Sequence, residues 1–356
     1  MIAVDSRSGT FRTAVLVGFF AFASLCPASV SAQPFTTWLT MLGGAQHGYI
    51  RIPHSAALNP TNRFTFEAWV SLTNSGSCKS IAGKNYIQSW WIGDCGGVLR
   101  SYLKGSGSSM DGGIIPSGGW THIAVVFNGT RRIHYINGEQ VLNMPETGPL
   151  TTSTSEVRLG SDVSYEHTPS GALNEVRLWN VARTQAQIRQ SINQTIDGPL
   201  AGLVGVWRLN GSALDRSGAH RDGTQMGVGV GYLTFPPGGS CTTSGTFACI
   251  GDRFLVTAKY RPGGPGSSET SAPAGPTAFN SAVFAYPDAE TWQVLVNVIN
   301  ACGSSGKFTV AESTPSTLFQ RIEVFDTHGF QNKIYFHYPG APSAPIIDTA
   351  AFATCP

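Results

Sequence analysis

Residues 120–141 read WTHIAVVFNGTRRIHYINGEQV, and this stretch decides the fold. It holds two Asn-Gly pairs, Asn128-Gly129 and Asn137-Gly138, each flanked by alternating apolar residues. Both residues of such a pair tolerate the positive φ of a type I′ turn, which makes Asn-Gly a strong hairpin signal. Ile123, Val125 and Phe127 fall on one face of the first strand, and His122, Ala124 and Val126 on the other. A turn at 128–130 leads into residues 132–136, and a second returns through 139–141. The pattern predicts a three-stranded antiparallel meander in the middle of a sheet.

Working outward, residues 64–72 alternate in the same way, with Phe64, Phe66, Ala68 and Val70 opposite Thr65, Glu67 and Trp69. Further short strands are read at 49–52, 80–84, 89–93, 98–103, 156–159, 172–179 and 202–209. The Gly/Ser-rich segment 105–119 reads as a loop. Thr184 and Gln187 form a Thr-x-x-Gln capping box with Ile188 and Ile192 one turn apart, which predicts a single short helix over 185–192. After a Pro-Pro-Gly-Gly connector, six more strand-like runs occupy 253–260, 282–286, 292–299, 307–311, 321–326 and 333–337, the pattern of a small β-sandwich.

The alphabet agrees with the pattern. Charged residues make up only 12% of the chain, against 42 glycines and 21 prolines, so short strands and turns are easily written and long amphipathic helices are not. A formal net charge of +2 with no basic run gives no reason to expect a nucleic-acid partner. Residues 1–32 read as an export signal: Arg7 and Arg12, an apolar run over 13–25, and a small-x-small site ending at Ala32. The run is too short for a membrane span. Cys26 leaves with this segment, and six cysteines remain: Cys78, Cys95, Cys241, Cys249, Cys302 and Cys355. An even number in an exported chain reads as disulfides. Cys78–Cys95, Cys241–Cys249 and Cys302–Cys355 are the favoured pairings. The organisation expected is a signal peptide (1–32), a first domain (36–232), a linker (233–240) and a C-terminal β-module (241–356), separable at the linker.

Three blocks carry a family resemblance: Trp-Thr-His-Ile-Ala with Tyr-Ile-Asn-Gly in the central stretch, FTFEAWV at 64–70, and GALNEVRLWN at 171–180. Together they resemble the laminin-G-like domain, a relative of pentraxins and concanavalin A-like lectins and glucanases. The resemblance covers 40–232 and implies an antiparallel jelly-roll sandwich, followed by a second, smaller sandwich. Asn174 stands where the family usually has Asp. The C-terminal module, with its ending DTAAFATCP, resembles one found on predicted secreted bacterial proteins, and the resemblance implies export but no activity.

No enzymatic constellation is found. Glycosidases need two carboxylates flanking the scissile bond, and the family's Glu-x-Asp-x-(x)-Glu strand pattern is missing. Asp288 and Glu290 lie outside a strand body, and Glu323 and Asp326 are three apart and point to opposite faces. Glu67 and Glu175 read as hydrogen-bonded structural groups. His122 and His134 face each other across the meander only if their strands are so registered, and a third metal ligand is lacking. No nucleophile elbow or phosphate-cradling loop occurs. Ca²⁺ is the cofactor the resemblance admits, and the loop acids Asp111, Asp162 and Glu166 are its candidate ligands. Tyr86, Trp90 and Trp91 are candidate ligand-stacking residues, although neighbours on a strand point opposite ways. Trp69, Trp120, Trp179 and Trp207 read as packing.

The function implied is non-catalytic binding outside the cell, periplasmic, secreted or at the surface, with a glycan or a surface protein as ligand. The rivals are a structural adhesion protein of the envelope and a divergent glycoside hydrolase or lyase.

Overall fold

The computed structural model describes residues 37–44, 47–234, 239–288, 290–341 and 343–356. The export signal and residues 235–238 of the linker lie outside the described residues. Strands of the first part form two stacked antiparallel sheets. One has eight strands and runs, across the sheet, Glu139–Pro145, Arg131–Ile136, Thr121–Phe127, Phe64–Thr73, Ser170–Trp179, Thr37–Leu42, Val230–Thr234, with Leu203–Trp207 also paired to Ser170–Trp179. The other has seven: Thr224–Met226, Tyr49–Ile52, Val157–Leu159, Cys78–Gly83, Trp91–Cys95, Val98–Tyr102 and Met110–Ile114. The Asn-Gly meander therefore closes one edge of the larger sheet rather than occupying its middle. Asn137 (φ 49°) and Gly138 (φ 75°) form the tight turn that the sequence demands.

Phe64, Phe66, Val70, Ile123, Val125 and Phe127 point between the sheets and meet Ile50, Ile81, Ile92 and Leu99 from the other side. Each such side chain, fully buried, contributes about 1.5–3 kcal/mol. The opposite face of the larger sheet is buried as well. Glu67, Trp69, His122 and Arg177 lie there, beneath the helix Gln185–Ser191 and the chain that follows it. The helix starts in the expected capping box of Thr184 and Gln187. Glu67, wholly buried, meets His122 at 3.5 Å and Arg183 at 2.5 Å. Burial alone would raise its pKa, but the His122 hydrogen bond and the charges of Arg183 and Arg177 outweigh it and hold the carboxyl at about 2. His122 and His134 point to opposite faces. His122 packs on Trp69, whereas His134 turns inward to Ser101 at 2.8 Å.

The Gly/Ser-rich segment is not all loop. Met110–Ile114 is an edge strand paired to Val98–Tyr102, and its glycines have a packing reason. A Cβ on Gly112 would lie 2.7 Å from Leu142, and one on Gly113 (φ 92°) would lie 2.6 Å from Ile136 and Val141. The sheet edge closes against the meander only where side chains are missing.

Residues after the linker build two five-stranded sheets. The first contains Phe247–Ile250, Phe254–Arg261, Thr270–Ser271, Phe319–Asp326 and Gln331–His337. The second contains Ala274–Thr277, Ser281–Ala285, Trp292–Ala301, Lys307–Ser313 and Ile346–Phe352. A core of their own, including Val256, Phe284, Val296, Val310 and Ile322, lies between them. The second sandwich rests on the outer face of the eight-stranded sheet. Trp69 stacks on Phe336 with centroids 6.2 Å apart, Asn193 donates to the Ile334 carbonyl at 2.9 Å, and Asn137 donates to Glu269 at 3.1 Å. Arg261 pairs with Glu139 and the Arg189 guanidinium lies 3.7 Å from the Tyr338 ring centroid. The three disulfides are Cys78–Cys95, Cys241–Cys249 and Cys302–Cys355, the pairings favoured on sequence grounds.

Candidate functional site

Alternation on the seven-stranded sheet sends Ile92 and Leu99 inward and Trp91, Arg100 and Tyr102 outward. The outer face thus receives two aromatic rings from adjacent, directly paired positions, Trp91 and Tyr102, 5.5 Å apart and edge to face. Two loops close over them. The loop after Cys78–Gly83 brings Tyr86 to 4.8 Å from Tyr102 and 6.0 Å from Trp91. The loop after Val157–Leu159 brings Tyr165 to 5.3 Å from Tyr86, with the His167 ring tilted against it at 4.2 Å. Trp91 is the floor, 1% exposed and donating its indole N–H to Ser80 at 2.7 Å. Tyr86 and Tyr165 are half-buried, and His167 is exposed. A hydrogen bond with Tyr102, then burial, raises the pKa of the Tyr86 phenol.

Asp162 assembles this cluster. Its Oδ1 accepts the backbone N–H of Tyr86 at 2.9 Å and of Ser164 at 2.8 Å, so one buried carboxylate ties both loops together. Its other oxygen packs on Gly83, where a Cβ would approach to 2.3 Å. Burial raises the Asp162 pKa, opposed by the N–H groups of Tyr86 and Ser164. Beside the rings Arg100 stands opposite Asp111 in the strand register, and the two form a bidentate ion pair. The hydrogen bond from Arg100 holds the Asp111 carboxyl below its ordinary pKa.

These positions correct two expectations. Trp90 and Trp91 are not a surface platform: Trp91 is the buried floor, and Trp90, 3% exposed, points into the core against Phe64 and Phe66. Tyr86 alone of the three candidates offers a partly open ring. Nor do Asp111, Asp162 and Glu166 gather around a cation. Asp111 is occupied by Arg100 and Glu166 by Arg158 at 2.7 Å, while Asp162 takes two backbone N–H groups on Oδ1 and leaves its buried Oδ2 against Gly83 without a hydrogen-bond partner. Calcium needs six to eight oxygens, and no group of three His, Cys, Asp or Glu side chains among the described residues is placed to hold a metal. The residues do not fit a calcium ion there.

Sequence reasoning missed Tyr102, Tyr165, His167 and Arg100. For Tyr102 and Arg100 a signal existed, because both lie at outward positions of a strand that was recognised. For Tyr165 and His167, in a loop whose acids drew the attention, it did not.

Residues 43–189 match the model of the concanavalin A-like lectin/glucanases superfamily, so the first sandwich is a laminin-G-like, concanavalin A-like domain. No curated protein matches the chain. Among solved structures it is similar to a Bacteroides ovatus protein to which carbohydrate binding is ascribed. That pair shares 19% identity at TM-score 0.48, over 57% of this chain and 60% of the other. It is also similar to domain 4 of AbnA, an extracellular arabinanase from Geobacillus stearothermophilus, at 20% identity and TM-score 0.34, over 46% of this chain and 100% of that domain. A third is a SAP-like pentraxin from Limulus polyphemus, at 15% identity and TM-score 0.41, over 56% of this chain and 94% of the other.

Proposed function

We propose that this is an exported, non-catalytic binding protein that takes a carbohydrate on the outer face of its seven-stranded sheet. The observation that carries the reading is the tyrosine cluster. Tyr86 and Tyr165 present partly open rings over a rigid aromatic floor, with phenol hydroxyls, His167 and the Arg100–Asp111 pair at its margin. Aromatic faces stack on the C–H faces of sugar rings, while a few fixed polar groups select hydroxyl positions. The acids nearby are engaged in ion pairs or backbone hydrogen bonds, which supports binding over hydrolysis, since a glycosidase needs two carboxyls free to act on one bond. Three disulfides support an oxidising compartment.

Affinity electrophoresis in gels cast with soluble arabinan, xylan, mannan, β-glucan or pectin tests the proposal. Retardation on at least one polymer, lost in Tyr165→Ala and unchanged by EDTA, is expected. No retardation on any polymer, or equal retardation of Tyr165→Ala, would overturn it.

A further inference from the structure

The second sandwich buries charge where its core should be apolar. Along Gln331–His337 every second side chain points inward: Lys333, Tyr335 and His337, exposed by 1%, 0% and 2%. Facing them from the other sheet are Asp348 of Ile346–Phe352 and Glu312 of Lys307–Ser313, each 1% exposed. The Lys333 Nζ lies 3.5 Å from Asp348 Oδ2. The Tyr335 phenol donates to the same oxygen at 3.1 Å, and the Ala350 backbone N–H donates to Asp348 Oδ1 at 3.1 Å. His337 Nε2 sits 2.6 Å from Glu312.

We propose that Lys333 and Asp348 condense into an intramolecular amide, a covalent tie between the two sheets of the second sandwich. An amine and a carboxyl in contact are held at an effective concentration that no solution reaches, and the site excludes the bulk water that hydrolyses the product. The ion pair first passes one proton from Nζ to Oδ1 of the carboxylate, leaving a neutral amine and a neutral acid. The neutral amine then attacks Cγ, and the negative charge developing on Oδ2 is met by the Tyr335 hydroxyl. The bond from Cγ to Oδ1 breaks as the second Nζ proton moves to that oxygen. One amide forms and one water leaves, with no oxidant, nucleotide or metal required.

The surroundings favour each part of this step. Burial lowers the proton affinity of Lys333, although Asp348 opposes it. Burial, then the charges of Asp348 and Glu312, raises the Tyr335 phenol well above its ordinary pKa, so it stays a donor. A buried ion pair kept only for stability has a weak rationale, because desolvation cancels most of the attraction.

Peptide mapping of the reduced, denatured protein tests the tie. Trypsin should fail to cut after Lys333, leaving one peptide over 322–356 that is lighter than its sequence by one water. A second protease cutting between 334 and 347 should leave a branched peptide holding both residues. Tyr335→Phe should slow the mass loss at least tenfold after refolding, and Lys333→Arg should abolish it. Cleavage after Lys333 with full sequence mass in the wild-type protein would overturn the proposal. So would a mass loss that survives in Lys333→Arg, which would locate the dehydration on Asp348 alone.

Discussion

Replacing Asp162 separates its role in the fold from any role in cation binding. Asp162→Ala leaves the backbone N–H groups of Tyr86 and Ser164 without their acceptor and opens space against Gly83. A buried donor left unpaired costs about 1–3 kcal/mol, and with two donors in loops that partly reopen to water the sum is about 2–4 kcal/mol. For a sandwich of this size each kcal/mol lowers Tm by about 2–4 °C, so a fall of at least about 4 °C is expected. Asp162→Asn keeps an oxygen in place and should change stability by less than about 1 kcal/mol. The two variants also differ with pH. Because burial raises the carboxyl pKa in the folded state, ionisation costs stability, and that cost appears as pH rises through the carboxylate range and is absent below it. Asp162→Asn should therefore gain on the wild type between acid and neutral pH. Differential scanning fluorimetry from pH 3 to pH 7, in EDTA, measures all of this. An Asp162→Ala protein that melts within 1 °C of wild type would refute the reasoning.

Other outcomes follow from the buried outer face of the larger sheet. The Glu67 carboxyl is held at about 2 against an ordinary 4.5, so it contributes stability above pH 4.5 that is lost as pH falls toward 2; the full contribution is roughly 3 kcal/mol. Glu67→Gln should be markedly less stable at pH 7 in urea titrations, with a gap that narrows at pH 3; a constant gap refutes the coupling. Gly138→Ala must hold φ near 75° and bring Cβ to 2.5 Å from the Tyr338 hydroxyl, a backbone cost of roughly 1–2 kcal/mol before any shift of the neighbouring sandwich. Proteolysis at residues 235–240 should then accelerate, and an unchanged cleavage rate would show that the turn does not brace the junction.

The sequence made the frame legible because period-two alternation and turn chemistry are local. The faces assigned to Ile123, Val125 and Phe127, the turn at Asn137-Gly138, the capping box at Thr184 and the strand 64–72 all stand in the structure. Placement within the sheet was not legible, because an edge strand and a central strand read alike until their partners are known. The strand Met110–Ile114 hid among glycines whose purpose is a neighbour distant in sequence, Leu142 for Gly112. The site failed for the same reason. Asp111, Asp162 and Glu166 look like free loop acids until Arg100, the Tyr86 backbone and Arg158 are seen to occupy them. Trp90 and Trp91 could be separated by alternation, but nothing local says that Tyr86 and Tyr165 close over the outward one.

The junction at Trp69 and Phe336 has a consequence for presentation. The second sandwich covers the outer side of the eight-stranded sheet, and the tyrosines line the outer side of the opposite sheet. Among the described residues, the appended module thus stands behind the first sandwich, on the side opposite the proposed binding face. On the proposed reading, a tether through residues 241–356 turns the tyrosine cluster outward.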